Sequence, residues 1–153
     1  MVHDDYHQVW VMRADLSAFQ PMRHSLFMQS MGLTFDTIAG DRVTAHLDVG
    51  ADQHTPWGVV HGGVFAAVVE SVASVGASVA VADRGMYAVG LNNSTDFLRP
   101  VASAHLDVLG IPIQQGRTQQ LWLVTMAHPG GKDVARGQLR LQNVPLPAEA
   151  GAP

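Results

Sequence analysis

The chain contains no cysteine. That excludes a disulfide framework, a thiolate zinc site and a cysteine nucleophile. Charge is also scarce: Asp, Glu, Lys and Arg make up 14% of 153 residues, the net charge is −4, and no block of Lys or Arg occurs. A nucleic-acid surface needs a basic patch or stripe, so nucleic acid is not an expected partner. The first residues, M-V-H-D-D-Y-H-Q-V-W, are acidic and polar. They lack the basic start and apolar run of a secretory signal, so a cytoplasmic location is expected. His3 and His7 are spaced to share a helical face. No carboxylate-rich company is evident for them, and no metal site is expected. What is present is a globular composition, 47% apolar, at a length that suits one domain with a sizeable core.

The longest apolar stretch, Val59 to Ala82, reads V-V-H-G-G-V-F-A-A-V-V-E-S-V-A-S-V-G-A-S-V-A-V-A and carries one formal charge, Glu70. Such a run is a membrane span or a helix buried on nearly all sides. It is rich in Ala, Gly and Ser, has a carboxylate near its centre, and is flanked by segments that alternate like strands. A bilayer disfavours that carboxylate. The run is therefore read as a buried helix over about 62–82, with Gly85 as its C-terminal cap and no membrane partner.

Around this helix the chain reads as an arm (1–15), a folded domain (16–143) and a disordered tail (144–153). Leu16, Phe19, Met22, Leu26 and Phe27 form a helical stripe that Pro21 interrupts. A short helix starting near that proline and packing on a sheet edge is expected. Thr34–Ala39 and Arg42–Val49 flank Gly40-Asp41, a hairpin signal, with Val43, Ala45, Leu47 and Val49 on one face. Pro56 and Gly58 mark a loop. Strands are expected over Tyr87–Leu98, Ala104–Gln114, Thr118–Ala127 and Asp133–Gln142. Their inward faces are read as Leu106, Val108 and Ile111, then Leu121, Leu123, Thr125 and Ala127. The fold class is α+β: one antiparallel sheet curled around one long helix.

A helix start offers free backbone N–H groups and the positive end of the helix dipole, and glycine lets a ligand approach closely. Gly62 and Gly63 thus form a credible oxyanion site. Glu70 lies about two turns along, and Ser74 shares its face four residues later. The same residues also allow a purely structural reading. There the glycines serve packing, Glu70 pairs with Arg84 or Arg99, and Ser74 is a small helix–sheet contact.

The string V-V-H-G-G-V-F-A-A-V-V-E-S resembles the signature of hotdog-fold acyl-CoA thioesterases of the PaaI-like and 4-hydroxybenzoyl-CoA type. That family carries His-Gly-Gly at a helix start and Asp or Glu nine residues after the His, the spacing of His61 and Glu70 here. N-N-S-T-D-F-L-R-P (92–100), Q-Q-G-R-T (114–118) and D-V-A-R-G-Q-L-R-L (133–141) resemble its later strands and turn, so the likeness runs over about 31–143. The resemblance implies a single hotdog domain, paired as a homodimer or homotetramer with sites at the subunit interface. It implies Glu70 as general base or nucleophile, the Gly62 N–H on the thioester carbonyl, and Ser74 positioning water. It also implies His61 ordering the loop, and Gly63, Asn93 and Ser94 binding substrate. Arg99, Arg117 and Arg84 are candidates for the CoA phosphates.

One position departs from the family pattern. Six residues before the His, Asn or Gln is usual, and here Thr55 stands there. A hydroxyl makes a hydrogen bond but lacks the amide pair; Gln53 or His54 substitutes if the loop is shifted. Thioester cleavage needs a base and an oxyanion donor, so no metal or cofactor is implied. The reading is acyl-CoA hydrolysis. The alternatives are a hotdog hydratase or dehydratase acting on hydroxyacyl thioesters, or a non-catalytic acyl-CoA-binding protein. Fold likeness alone does not separate them.

Overall fold

A computed structural model describes residues 25–146. The expectations for the arm, for the stripe before Ser25 and for most of the tail lie outside these residues. The described chain opens with a short helix, α1 (Leu26–Met31). Ser25 caps it, its Oγ accepting from the Met28 N–H at 3.4 Å. Gly32 ends it at φ 77°, and a Cβ there would lie 1.9 Å from the Asp48 carbonyl oxygen, so both conformation and space require glycine. This helix packs on the central helix, on the strand Val43–Val49 and on the turn over Ala51–Gln53. Met31 is buried, and Met28 Sδ accepts from Ser71 Oγ at 3.5 Å.

Strands β1 (Leu33–Ile38) and β2 (Val43–Val49) form the expected hairpin. Val43, Ala45, Leu47 and Val49 point into the core, as their alternation indicates. The long helix α2 (Gly62–Val79) follows. It ends three residues before its apolar run does, at Val79 rather than Ala82. After Ala80 the chain tightens into a 3-10 turn over Ala82–Arg84, and Gly85, at φ 65°, caps that turn instead of the helix. Then come β3 (Met86–Phe97), β4 (Ala104–Gln115), β5 (Gln119–Ala127) and β6 (Asp133–Pro145). The last strand runs beyond the expected Gln142, and the Leu146 N–H still bonds the Gly85 carbonyl at 2.9 Å.

The six strands form one antiparallel sheet in the order β1-β2-β4-β5-β6-β3. Its inner face wraps α2. Val68, Val69, Val72, Ala73 and Ala77 are fully buried against Leu106, Trp122, Val124, Met126, Leu139 and Leu141. The helix is long and apolar enough to cross a bilayer, yet this face is already occupied by sheet.

Two expectations about inward faces are overturned. On β5 the buried residues are Gln120, Trp122, Val124 and Met126, so Leu121, Leu123, Thr125 and Ala127 face outward. Both faces of this strand are apolar, and alternation alone does not choose between them. The bulk of Trp122 chooses, because its ring fills the space left by Gly76, where a Cβ would lie 2.5 Å from the indole. Ile111 pairs with Leu123 and shares its outward face, while Leu106, Val108 and Gly110 point inward.

Candidate active site

The start of α2 is held by a tightly bonded loop. The Thr55 N–H donates to the Val59 carbonyl at 2.7 Å, and Gly58 turns back on Thr55 with φ 75°. The Val60 N–H bonds the Val101 carbonyl at 2.7 Å, and the His61 N–H bonds the Gln53 carbonyl at 2.8 Å. The Gln53 side chain accepts from the Gly50 N–H and donates to the Ser30 carbonyl, at 2.9 and 2.7 Å. His54 Nε2 donates to the Ala102 carbonyl at 2.6 Å. The helix entry is thereby anchored to three separate parts of the chain.

His61 is the N-cap. Its Nδ1 accepts from the Gly63 N–H at 2.8 Å, and its carbonyl takes the Val64 N–H at 3.0 Å. That cap requires an unprotonated Nδ1, which places the ring proton of neutral His61 on Nε2. A Cβ on residue 63 would lie 2.9 Å from this Nδ1, so Gly63 makes room for the cap. With the Gly63 and Val64 amides committed, the Gly62 N–H is left over at the positive end of the helix. A Cβ on Gly62 would meet the Phe97 ring at 2.9 Å.

Glu70 is exposed in this chain, which corrects the expectation of a helix buried on nearly all sides. The sheet covers one face of α2. The stripe Gly63, Ala66, Ala67, Glu70 and Ser74 stays open or half-open because β3, the neighbouring strand, lies at the edge of the sheet that the described residues form. The carboxylate rests against β3. Asn93 Nδ2 donates to the Ala66 carbonyl at 2.9 Å and reaches Glu70 Oε2 at 3.5 Å. Among the described residues the ion pairs are His46–Asp36 and His105–Asp48, on the outer sheet face, so Glu70 pairs with neither Arg84 nor Arg99.

Two cavities flank the helix start and share Ala67. One, of about 430 Å³, is lined by Ala66, Ala67, Glu70, Asn93, Thr95 and Phe97. The other, of about 420 Å³, lies between α1 and the helix entry, with Gln53, His54, His61 and Gly63 on its wall. Glu70 and Asn93 are thus brought together, with Gly62, His61 and Gly63 around the corner of the same helix end. Ser74 sits one turn past Glu70, half-buried.

Other candidates are placed elsewhere. Ser94 pairs with Gln138 on the outer face of the sheet, opposite Asn93. Adjacent strand residues point to opposite faces, so one chain cannot aim both at Glu70. Thr55 spends its hydroxyl within its own turn, donating to the Val59 carbonyl at 3.1 Å and accepting from the Trp57 N–H at 3.3 Å. Arg99 donates to the Asp133 carbonyl near the site end of the sheet. Arg117 lies at the other end of α2. Its carbonyl bonds Asn143, which is linked through Gln120 to Ala77. Fifteen residues of helix separate Ala77 from Gly62, roughly 20 Å at helical rise. Arg84 is exposed beyond that same far end. The sequence reading missed Thr95 and Gly90, which meet Asn93 and Glu70. An isolated glycine inside a strand is the signal that points to Gly90.

A six-stranded antiparallel sheet wrapped around one helix, with His-Gly-Gly at the helix start, is the hotdog architecture. The Thioesterase superfamily model matches residues 58–135. A candidate esterase of Mycobacterium tuberculosis is 42% identical over 120 residues, covering 77% of this chain and 86% of that protein. Its solved structure superimposes with TM-score 0.77 at 41% identity, covering 81% of this chain and all of that one. A Haemophilus influenzae thioesterase structure superimposes with TM-score 0.78 at 25% identity over 93% of this chain and 99% of its own. The 1,4-dihydroxy-2-naphthoyl-CoA thioesterase 2 of Arabidopsis thaliana is 31% identical over 100 residues, 65% of this chain and 62% of that protein. The chain belongs to the Thioesterase superfamily and is a hotdog-fold thioester hydrolase.

Proposed function

We propose that this enzyme hydrolyses an aryl or short-to-medium acyl-CoA thioester to the free acid and CoA, with Glu70 as general base or nucleophile. One observation carries the reading: among the described residues the carboxylate stands open in a cavity without a cationic partner, on the helix whose first amide is uncommitted. In the general-base route, Glu70 takes a proton from water as the oxygen attacks the thioester carbon. The Gly62 N–H receives the developing oxyanion, and the C–S bond then breaks to release thiolate, which is protonated to CoA. In the nucleophilic route Glu70 attacks the thioester carbon, the C–S bond breaks to release CoA thiolate as a mixed anhydride forms, and water opens the anhydride to the free acid and the Glu70 carboxylate. His61 and Gly63 hold the helix entry in register, and Ser74 positions the water.

The Arabidopsis relative acts on an aryl-CoA, which together with Phe97 on the cavity wall favours an aryl group. A second subunit completes the site. Strand β3 is twelve residues long and, among the described residues, paired on one edge, an arrangement that invites another strand, giving a homodimer or a dimer of dimers. Arg99 contacts CoA from its own subunit, whereas Arg117 reaches it only from the partner. Thr55 contributes through its turn, its hydroxyl donating to the Val59 carbonyl and not to substrate.

The test is thiol release from phenylacetyl-, benzoyl- and short- and medium-chain acyl-CoA by wild type, Glu70→Gln and Glu70→Ala. Turnover by wild type that both folded variants lose supports the reading, and the panel names the acyl class. Variants as active as wild type remove Glu70 from the mechanism. Binding without turnover by wild type selects the non-catalytic alternative.

A further inference from the structure

Glu70 does not meet β3 at random. The register of β3 on β6 slips between Gly90 and Asn92, leaving Leu91 as an extra residue. Up to the bulge the even positions, Ala88 and Gly90, face α2. Beyond it the odd positions do, because Asn93, Thr95 and Phe97 pair with the buried or inward Leu139, Gly137 and Ala135. A bulge of this kind re-aims side chains. Here it sets a glycine and an asparagine on either side of one carboxylate.

The glycine is a notch: a Cβ on residue 90 would lie 2.3 Å from Glu70 Oε1 and 3.2 Å from its Cδ. The asparagine is held at both ends. Thr95 Oγ1 donates to Asn93 Oδ1 at 2.7 Å, and Asn93 Nδ2 donates to the Ala66 carbonyl at 2.9 Å and to Glu70 Oε2 at 3.5 Å. A flipped amide would set Oδ1 against two acceptors, so a single orientation satisfies all three neighbours. Thr95 has its own recess, since a Cβ on Gly137 would lie 2.5 Å from its Oγ1. Both Asn93 N–H groups are directed at the helix, leaving none to donate to substrate.

We infer that Thr95 and Asn93 are a positioning pair for the Glu70 carboxylate, with Gly90 as the recess that admits it, rather than substrate-binding groups. The inference rests on Glu70 being the catalytic carboxylate. Thr95 acts through Asn93, and its hydroxyl decides how firmly the carboxylate is aimed. Losing that one hydrogen bond lowers kcat about ten-fold, the worth of roughly 1.4 kcal/mol.

The experiment uses the full chain and the acyl-CoA that wild type turns over best. It compares Thr95→Val, which keeps the shape and removes the hydroxyl, with Thr95→Ser, which restores it, and with Gly90→Ala. Each is made in the wild-type and Glu70→Gln backgrounds, and thermal unfolding confirms folding. If Thr95→Val does not fold, Thr95→Ala replaces it. The expected result is a kcat loss of about ten-fold for Thr95→Val with KM within about two-fold, recovery by Thr95→Ser, a kcat loss for Gly90→Ala, and no further loss for Thr95→Val once Glu70 is Gln. If Glu70→Gln is inactive but Thr95→Val matches wild type, raises KM alone or is not rescued by serine, the positioning pair is overturned and the base assignment stands. If Glu70→Gln retains wild-type activity, the base assignment fails and the positioning role falls with it.

Discussion

The two halves of α2 use the same residue vocabulary to opposite ends. In the C-terminal half, Gly76 admits Trp122, whose indole N–H donates to Gln120 Oε1 at 3.0 Å. Gln120 Nε2 donates to the Ala77 carbonyl and to Asn143 Oδ1, at 2.9 and 2.8 Å, and Asn143 Nδ2 bonds the Gly116 and Arg117 carbonyls. Trp122, Gln120 and Asn143 are buried, and none of their polar atoms lacks a partner. In the N-terminal half, glycines again border a helix, but the polar groups keep spare capacity. Glu70 is exposed with one long hydrogen bond, and the Gly62 amide is left over beside a capping histidine. A closed polar network rigidifies a core, while an open one is available to a ligand. Residue type therefore does not mark the site in this helix; unspent hydrogen-bonding capacity does.

The sharpest break between the halves is a pair of single substitutions. Glu70→Gln is expected to lower kcat by about 10²–10⁴-fold while shifting unfolding free energy by less than about 0.5 kcal/mol, because the residue is exposed. Trp122→Ala is expected to cost about 3–5 kcal/mol of stability in urea unfolding, with kcat per folded molecule close to wild type. If Glu70→Gln destabilised the chain as Trp122→Ala does, the division into an open and a closed half would fail.

A finer comparison adds one methyl to each half. At Gly76 a Cβ meets the indole at 2.5 Å and Val43 Cγ2 at 2.8 Å, in a filled core. Gly76→Ala is expected to lose about 1–3 kcal/mol to overpacking, despite the better helix propensity of alanine. At Gly62 the obstacle is the Phe97 ring, which is 58% exposed and free to swing outward. Gly62→Ala is therefore expected to change stability by under about 1 kcal/mol and to act on KM and kcat instead. His61→Ala is expected to cost about 1 kcal/mol of stability from the lost cap. His61→Asn, a good capping residue, should restore it in the same thermal unfolding assay.

Much of this architecture is legible in the sequence. His61-Gly62-Gly63 at a helix start, Glu70 two turns along and the buried face of β2 each follow from a local rule, and each reappears in the fold. Strand boundaries fell within a few residues because Pro100, Gly116 and Gly130-Gly131 punctuate the chain. What was not legible depends on partners distant in sequence. Period-two alternation runs through β5 on both faces, and the slot beside Gly76 decided that Trp122 goes inside. The bulge at Leu91 decided that Asn93, and not its neighbour Ser94, faces the helix. Arg117 sits in a turn like the family's, yet strand order carried it to the far end of α2.

Capping, turn chemistry and helical periodicity act within a few residues, so the elements, the helix entry and the spacing of its carboxylate are written locally in the chain. Which groups were left unspent was settled by the fold. Glu70 stays open, Thr55 closes on its own turn, and Gly90, Asn93 and Thr95 gather around one carboxylate, because an edge strand with one partner and one bulge lies along that side of the helix. A hydrogen bond is satisfied or left open by neighbours that the fold brings together, and that information is not carried by any local stretch of chain.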